Sequence, residues 1–202
     1  MTQRVGIYVF DEVEVLDFAG PFEVFSTASR VKARLSPESP IPFEVFTIAD
    51  AKRYVRARGN LGIVPHFNLK NHPPLDILIV PGGIVKFELQ RDHVISWIKQ
   101  TSQSALITAS VCTGAFLLAQ AGFLNAKQAT THWADLDDLQ AMFPELVAVR
   151  DVRWVDNGSV VTAAGISAGI DMSLHLVTRI EGEVLARRTA RQMEFTWTPA
   201  RK

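Results

Sequence analysis

The chain has 202 residues, with 21 Lys plus Arg against 21 Asp plus Glu and an apolar content of 48%. That length supports one large domain with a substantial core, and the balanced charge gives no electrostatic footprint for nucleic acid or an anionic membrane surface. No apolar run is long enough to span a bilayer, and the single cysteine, Cys112, excludes an intrachain disulfide and a Cys-based metal site.

Residues 5–10 form a continuous apolar run stopped by Asp11-Glu12. The run is too short for a signal peptide and predicts a central strand covered on both faces; the default location is the cytoplasm. Asp17 follows near the start of a helix whose Phe18, Phe22 and Phe25 share one face, and Pro21 belongs in that helix's first turn. Asp17 is then either an N-cap, worth about 1 kcal/mol, or a site residue. The proline-rich residues 35–42 predict a surface loop. Residues 43–48 alternate and predict a second strand, while 54–58 and 62–65 predict short edge strands blunted by exposed arginines. His66 and His72 lie in polar loop sequence and read as solvated. Residues 76–80 predict a buried strand ending in Pro81-Gly82-Gly83, either a plain tight turn or one whose N–H groups face a ligand. Residues 92–101 predict an amphipathic helix.

The stretch from Ser104 to Ala119 is the centre of the chain. A β-forming apolar run stops at Cys112, and a helical pattern begins at once. Such an elbow lifts a side chain out of the sheet beside the free N–H groups of a helix start. The thiol is either a small buried hydrophobe or a nucleophile, and its position favours the nucleophile. Gly122 is the C-cap candidate of that helix. Residues 134–142 predict a helix, and Asp156-Asn157-Gly158-Ser159 predicts a hairpin turn between residues 147–155 and 160–163. Helices are predicted over 165–180 and 183–193, followed by a short tail through Pro199. Asp171 reads as a helix cap and Asp156 as a turn residue.

Alternating strands and helices predict an α/β fold with a mainly parallel sheet in a single domain, 1–202, and ligands then bind beyond the carboxyl ends of the strands. Asp17, Gly82-Gly83 and Cys112 all fall there. That convergence moves Asp17 from cap toward site.

Val111-Cys112-Thr113-Gly114-Ala115-Phe116, the Pro81-Gly82-Gly83 turn and Ala129-Thr130-Thr131-His132-Trp133 together resemble the ThiJ/PfpI superfamily. Leu16-Asp17-Phe18-Ala19-Gly20-Pro21 and Gly165-Ile166-Ser167-Ala168-Gly169-Ile170-Asp171 resemble its isonitrile hydratase branch, which also holds the ligand-binding halves of AraC-type regulators. The resemblance implies a flavodoxin-like three-layer sandwich of the class I glutamine amidotransferase-like type, a homodimer, and functional roles for Cys112, Asp17 and Thr113. It also implies that the amides of Gly82 and Gly83 line the pocket. After that turn the chain departs from the hydratase pattern, with Ile84-Val85-Lys86-Phe87-Glu88 in place of a smaller, glycine-containing loop.

The implied activity is hydration of an isonitrile to an N-substituted formamide, with Cys112 as nucleophile and Asp17 as proton donor. No cofactor, metal, nucleic acid or membrane partner is expected, only a small-molecule substrate. A lowered thiol pKa would gain thiolate but lose nucleophilicity almost equally, so Asp17 is assigned to proton transfer and positioning, not to thiol acidity. Amides of Thr113 and Gly83 are candidates to hold the thiolate or water. The Thr113 hydroxyl either orients Asp17 or water or is an ordinary first-turn residue. His132 either supports the thiol or packs near Trp133. The alternatives are a glyoxalase- or amidase-like enzyme of the same superfamily and a small-molecule sensing domain without turnover.

Overall fold

The computed structural model describes residues 1–51 and 54–197; the end of the predicted tail, Pro199, lies outside them. The chain runs β1 (Gln3–Tyr8), α1 (Val15–Leu35), β2 (Phe43–Ala49), β3 (Val55–Arg56), β4 (Gly62–Ile63), β5 (Phe67–Asn68), β6 (Ile77–Val80), α2 (Asp92–Ser104), β7 (Ile107–Val111) and α3 (Gly114–Gln120). It continues with β8 (Gln128–Ala129), α4 (Leu136–Met142), β9 (Val147–Ala148), β10 (Trp154–Asp156), β11 (Val160–Ala163), α5 (Ala168–Glu181) and α6 (Glu183–Gln192).

The main sheet has the order β10-β11-β7-β6-β1-β2-β5, parallel throughout except for the antiparallel β10–β11 edge pair. The protein has the α/β fold with a mainly parallel sheet expected from its pattern, and the flavodoxin-like form implied by the family resemblance. Helices α1, α5 and α6 pack on one another over one face, while α2 and α3 pair over the other. Strands covered on both sides must be apolar at every position, which is why Val5, Ile7, Ile77, Leu78, Ile79 and Val80 are fully buried. From β1 the chain goes to β2 on one side and later to β6 on the other, so the sheet reverses direction between β1 and β6. In open sheets of this kind a crevice forms at that reversal, beyond the strand ends.

Several local expectations change. Glu14 caps α1, its side chain accepting from Val15 N–H, so Asp17 is the third helical residue and not the N-cap. Pro21 therefore falls inside the helix, beyond its first turn, where its missing N–H leaves the Asp17 carbonyl without its helical donor. Strands β3 and β4 pair only with each other in a separate hairpin, and the sheet edge is formed by β5. Residues 147–155 split into β9, which pairs with β8, and β10, which forms the predicted hairpin with β11. His72 is half-buried and bridged, accepting from Trp97 Nε1–H at 2.9 Å while Nδ1 meets Pro73 O at 2.8 Å. His66 is exposed, yet its Nδ1 accepts from Thr47 N–H at 3.1 Å. Asp171 lies within α5 and binds Arg153 instead of capping the helix. Asp156 does make the turn, accepting from Gly158 N–H at 2.7 Å, and also binds His175.

Candidate active site

Cys112 directly follows β7 with φ +55, a left-handed conformation that costs a non-glycine residue on the order of 1–3 kcal/mol. Its surroundings enforce that conformation. The Cys112 N–H is shared between Ala163 O (3.1 Å) and Ala164 O (3.2 Å), while its carbonyl accepts from Thr131 Oγ1 at 2.7 Å. Gly114 then lets α3 start against β6, because a Cβ there would stand 2.0 Å from Val80 O. The thiol is buried, with 7% of Cys112 exposed.

Asp17 comes from the neighbouring helix and is fully buried. Oδ2 accepts from Gly82 N–H at 3.1 Å, and Oδ1 has no hydrogen-bond partner among the described residues. The Cys112 thiol is close enough to stabilise the carboxylate weakly, as a contact and not as a fully formed hydrogen bond. Burial is the main force on both groups. It pushes the Asp17 carboxyl up to about 7; the Gly82 N–H opposes this, and the charge of Glu14 adds to it. Burial, then the charge of Asp17, pushes the Cys112 thiol up to about 12, against the backbone N–H groups of Thr113 and Ile166. The charge of Asp135 adds a smaller increment. This thiol is not activated at rest.

The structure thus brings Asp17, Gly82, Gly83, Cys112 and Thr113 together at three strand ends, but with different local jobs for some. The Thr113 hydroxyl is engaged with Gly83, accepting its N–H at 2.9 Å and donating to its carbonyl at 2.9 Å. Its hydrogen bonds do not go to Asp17, and the Gly83 amide is not free for the thiolate or water. The Gly82 amide faces Asp17. His132 makes no hydrogen bond to the thiol: Nδ1 accepts from Ala134 N–H at 3.3 Å and lies 3.2 Å from Asp135 Oδ2, and the ring packs on Gly165. Ile166 is the residue that sequence reasoning missed. Its φ of +50 is unusual for a β-branched side chain, and its N–H reaches the sulfur from the loop after β11. The available signal was Gly165 just beyond a further parallel strand end. Among the described residues no group of three or more His, Cys, Asp or Glu is placed to hold a metal, and no helix is long and apolar enough to cross a membrane.

Residues 3–179 match the DJ-1/PfpI family, and the chain belongs to it. The chain is 32% identical over 200 residues to isonitrile hydratase of Pseudomonas putida, a match covering 98% of this chain and 81% of that one. It is 29% identical over 185 residues to the HTH-type transcriptional regulator GbdR of Pseudomonas aeruginosa, covering 91% of this chain but about half, 48%, of the regulator. A solved THiJ/PfpI family protein from Pseudomonas syringae superposes with a TM-score of 0.85 at 23% identity, covering 100% of this chain and 78% of that one, a likeness of fold.

Proposed function

We propose that this DJ-1/PfpI chain is a cysteine-dependent lyase that hydrates isonitriles to N-substituted formamides, with Cys112 as nucleophile and Asp17 as proton carrier. The observation that carries the proposal is a buried carboxyl, held near 7, against a thiol on a strained elbow. Likeness to isonitrile hydratase over nearly the whole chain supplies the substrate class.

At neutral pH the pair rests as thiol plus partly ionised carboxyl. The Asp17 carboxylate takes the thiol proton as sulfur bonds to the isonitrile carbon, then gives that proton to the same carbon. The product is a thioimidate, R–N=CH–S–Cys112, and Asp17 is again a carboxylate. Asp17 next takes a proton from water as the oxygen adds to that carbon, and returns it to nitrogen. The C–S bond breaks, the hydroxyl proton goes to sulfur, and R–NH–CHO leaves with the thiol restored. The N–H groups of Thr113 and Ile166 face the sulfur and stabilise its negative charge as it forms and as it departs. Thr113 Oγ1 supports this indirectly by fixing the Gly82-Gly83 turn, and His132 by packing against the loop that carries Ile166. The active form is proposed to be a cytoplasmic homodimer.

A sensing domain is the second reading. It is favoured by the likeness to GbdR and by a thiol pushed up to about 12. The test is to incubate wild type and Cys112→Ala with cyclohexyl isocyanide and, separately, methylglyoxal, and to assay formamide and lactate. Formamide formed only by the wild type is the expected result. Equal formamide from Cys112→Ala eliminates the nucleophile, lactate points to glyoxalase-like chemistry, and turnover of neither compound leaves sensing.

A further inference from the structure

Beyond Gly83 the chain does not return directly to helix but runs along residues 84–91, and a groove of about 820 Å³ lies before this segment. Its apolar lining comes from Ile84, Val85 and Leu89, from Ala141 and Met142 of α4, and from Phe116 of α3. Three further residues tie the groove to the thiol. Gly83 and Thr113 line it while bonding each other, Thr113 gives its N–H to the sulfur, and Asp135, also lining, is near enough to raise the thiol's pKa.

We propose that this groove binds an uncharged apolar substituent, of ring size or larger, on the electrophile that Cys112 attacks. The proposal rests on Cys112 being the reacting group of the function proposed above. The volume falls in the range of sites that enclose drug-sized ligands, so a methyl group beside the reacting carbon leaves most of it unfilled. The charged lining residues do not select an ion. Lys86 and Asp138 offer opposite signs, and Asp135 disfavours an anion near the sulfur.

The wall is fixed from behind, as specificity requires. Glu88, which stands between the lining residues Lys86 and Leu89, is buried at 5% exposure. Tyr8 Oη–H donates to Glu88 Oε2 at 2.5 Å, and Arg91 Nη1 donates to Oε1 at 3.0 Å. Arg91 also binds Asp50, whose Oδ1 lies 3.0 Å from His93 Nε2. A carboxylate so buried and so completely partnered anchors the segment to β1 and to the end of β2, and the groove keeps its shape when empty.

The test compares alkylation of Cys112 by iodoacetamide and by N-benzyl-iodoacetamide, each rate normalised to that of a free thiol. Wild type should prefer the benzyl reagent by about 10-fold or more, the discrimination a small apolar increment earns in a binding pocket. Ala141→Trp fills the groove and Met142→Glu makes it polar; both positions are exposed, so the fold tolerates them, and both should abolish the preference. No preference in wild type, or a preference surviving both variants, overturns the groove alone. A changed oligomeric state in light scattering with the preference intact means that a second copy covers this face, and also overturns it. If neither reagent alkylates Cys112, the nucleophile assignment falls and the groove proposal with it.

Discussion

Asp17→Asn keeps the size of the side chain and an acceptor for the Gly82 N–H while removing the titrating oxygen. In the wild type Asp17 stands at about 7 and Cys112 at about 12, so moving one proton from sulfur to carboxylate is uphill, though by less than that gap, because the Asp17 charge that helps to raise the thiol is lost as Asp17 takes the proton. Between those values the pair holds an ionised carboxyl beside a neutral thiol, the one form with both a base and a proton to move. Hydration kcat/KM should therefore fall about tenfold per pH unit below about 7, roughly 100-fold by about pH 5. The variant should lose about 100- to 10,000-fold at neutral pH and show no acid limb. Iodoacetamide alkylation of Cys112 should persist, because loss of the Asp17 charge lowers the thiol's pKa and offsets in part the loss of the base. Stability moves the opposite way to activity. The folded value of about 7 lies above the ordinary 3.8, so the buried carboxyl costs nothing extra below about 3.8. The cost grows as pH rises through that window and reaches about 4 kcal/mol above it. Asp17→Asn should thus melt above wild type at about pH 8, with the gap closing toward about pH 4. The assays are formamide release across that pH range and thermal unfolding at the two ends. A wild-type profile flat through neutrality, or an acid limb surviving in Asp17→Asn, refutes the proton-carrier assignment.

Glu14→Gln removes a charge that raises Asp17, so the acid limb of hydration should move to lower pH, read from the same profile; an unmoved limb means that Glu14 does not act on Asp17. Gly82→Ala places a Cβ 2.5 Å from Thr113 N and 3.0 Å from Asp17 Oδ2. It should cost about 1–3 kcal/mol in urea unfolding and displace the Thr113 N–H from the sulfur, slowing hydration more than substrate binding. Thr113→Val leaves the Gly83 N–H unpaired at about 1–3 kcal/mol while the Gly83 carbonyl keeps the Val85 N–H, whereas Thr113→Ser should retain stability and turnover. Equal melting of the valine and serine variants would remove the hydroxyl from the account.

The main sheet was legible because strands buried on both faces have little freedom in composition. The run ending at Val80 and the one ending at Val111 read as strands for the same reason that they are inaccessible. Cys112 was legible because a lone polarisable residue stands where strand pattern becomes helix pattern. What escaped depends on backbone geometry or on partners distant in sequence. The N–H of Ile166 leaves no side-chain signature, and its positive φ is imposed by the loop after β11. Nothing in the sequence around Thr113 shows that the Gly83 peptide occupies both the donor and the acceptor of its hydroxyl. A proline's missing N–H is harmless in a first turn, which is where the sequence pattern puts Pro21, but Glu14 starts the helix earlier and the cost is borne at the Asp17 carbonyl. Glu88 carries no local pattern at all; its meaning comes from Tyr8 and Arg91.

The balance between catalysis and sensing turns on the burial of Asp17. A pocket that only binds a neutral small molecule gains nothing from an aspartate with one oxygen unpartnered and a carboxyl held near neutrality. Asparagine would accept the same Gly82 N–H without the penalty of about 4 kcal/mol that ionisation imposes above neutral pH. The thiol, pushed up to about 12, is a poor nucleophile unless a base acts as it attacks, and Asp17 is the base that the proposed mechanism assigns to it. Each group is unfavourable alone in this dry site, and together they can move one proton from sulfur to a bound carbon without releasing it to solvent. That reciprocal dependence is the physical reason for placing turnover ahead of sensing, and it makes the acid limb in Asp17→Asn the deciding measurement.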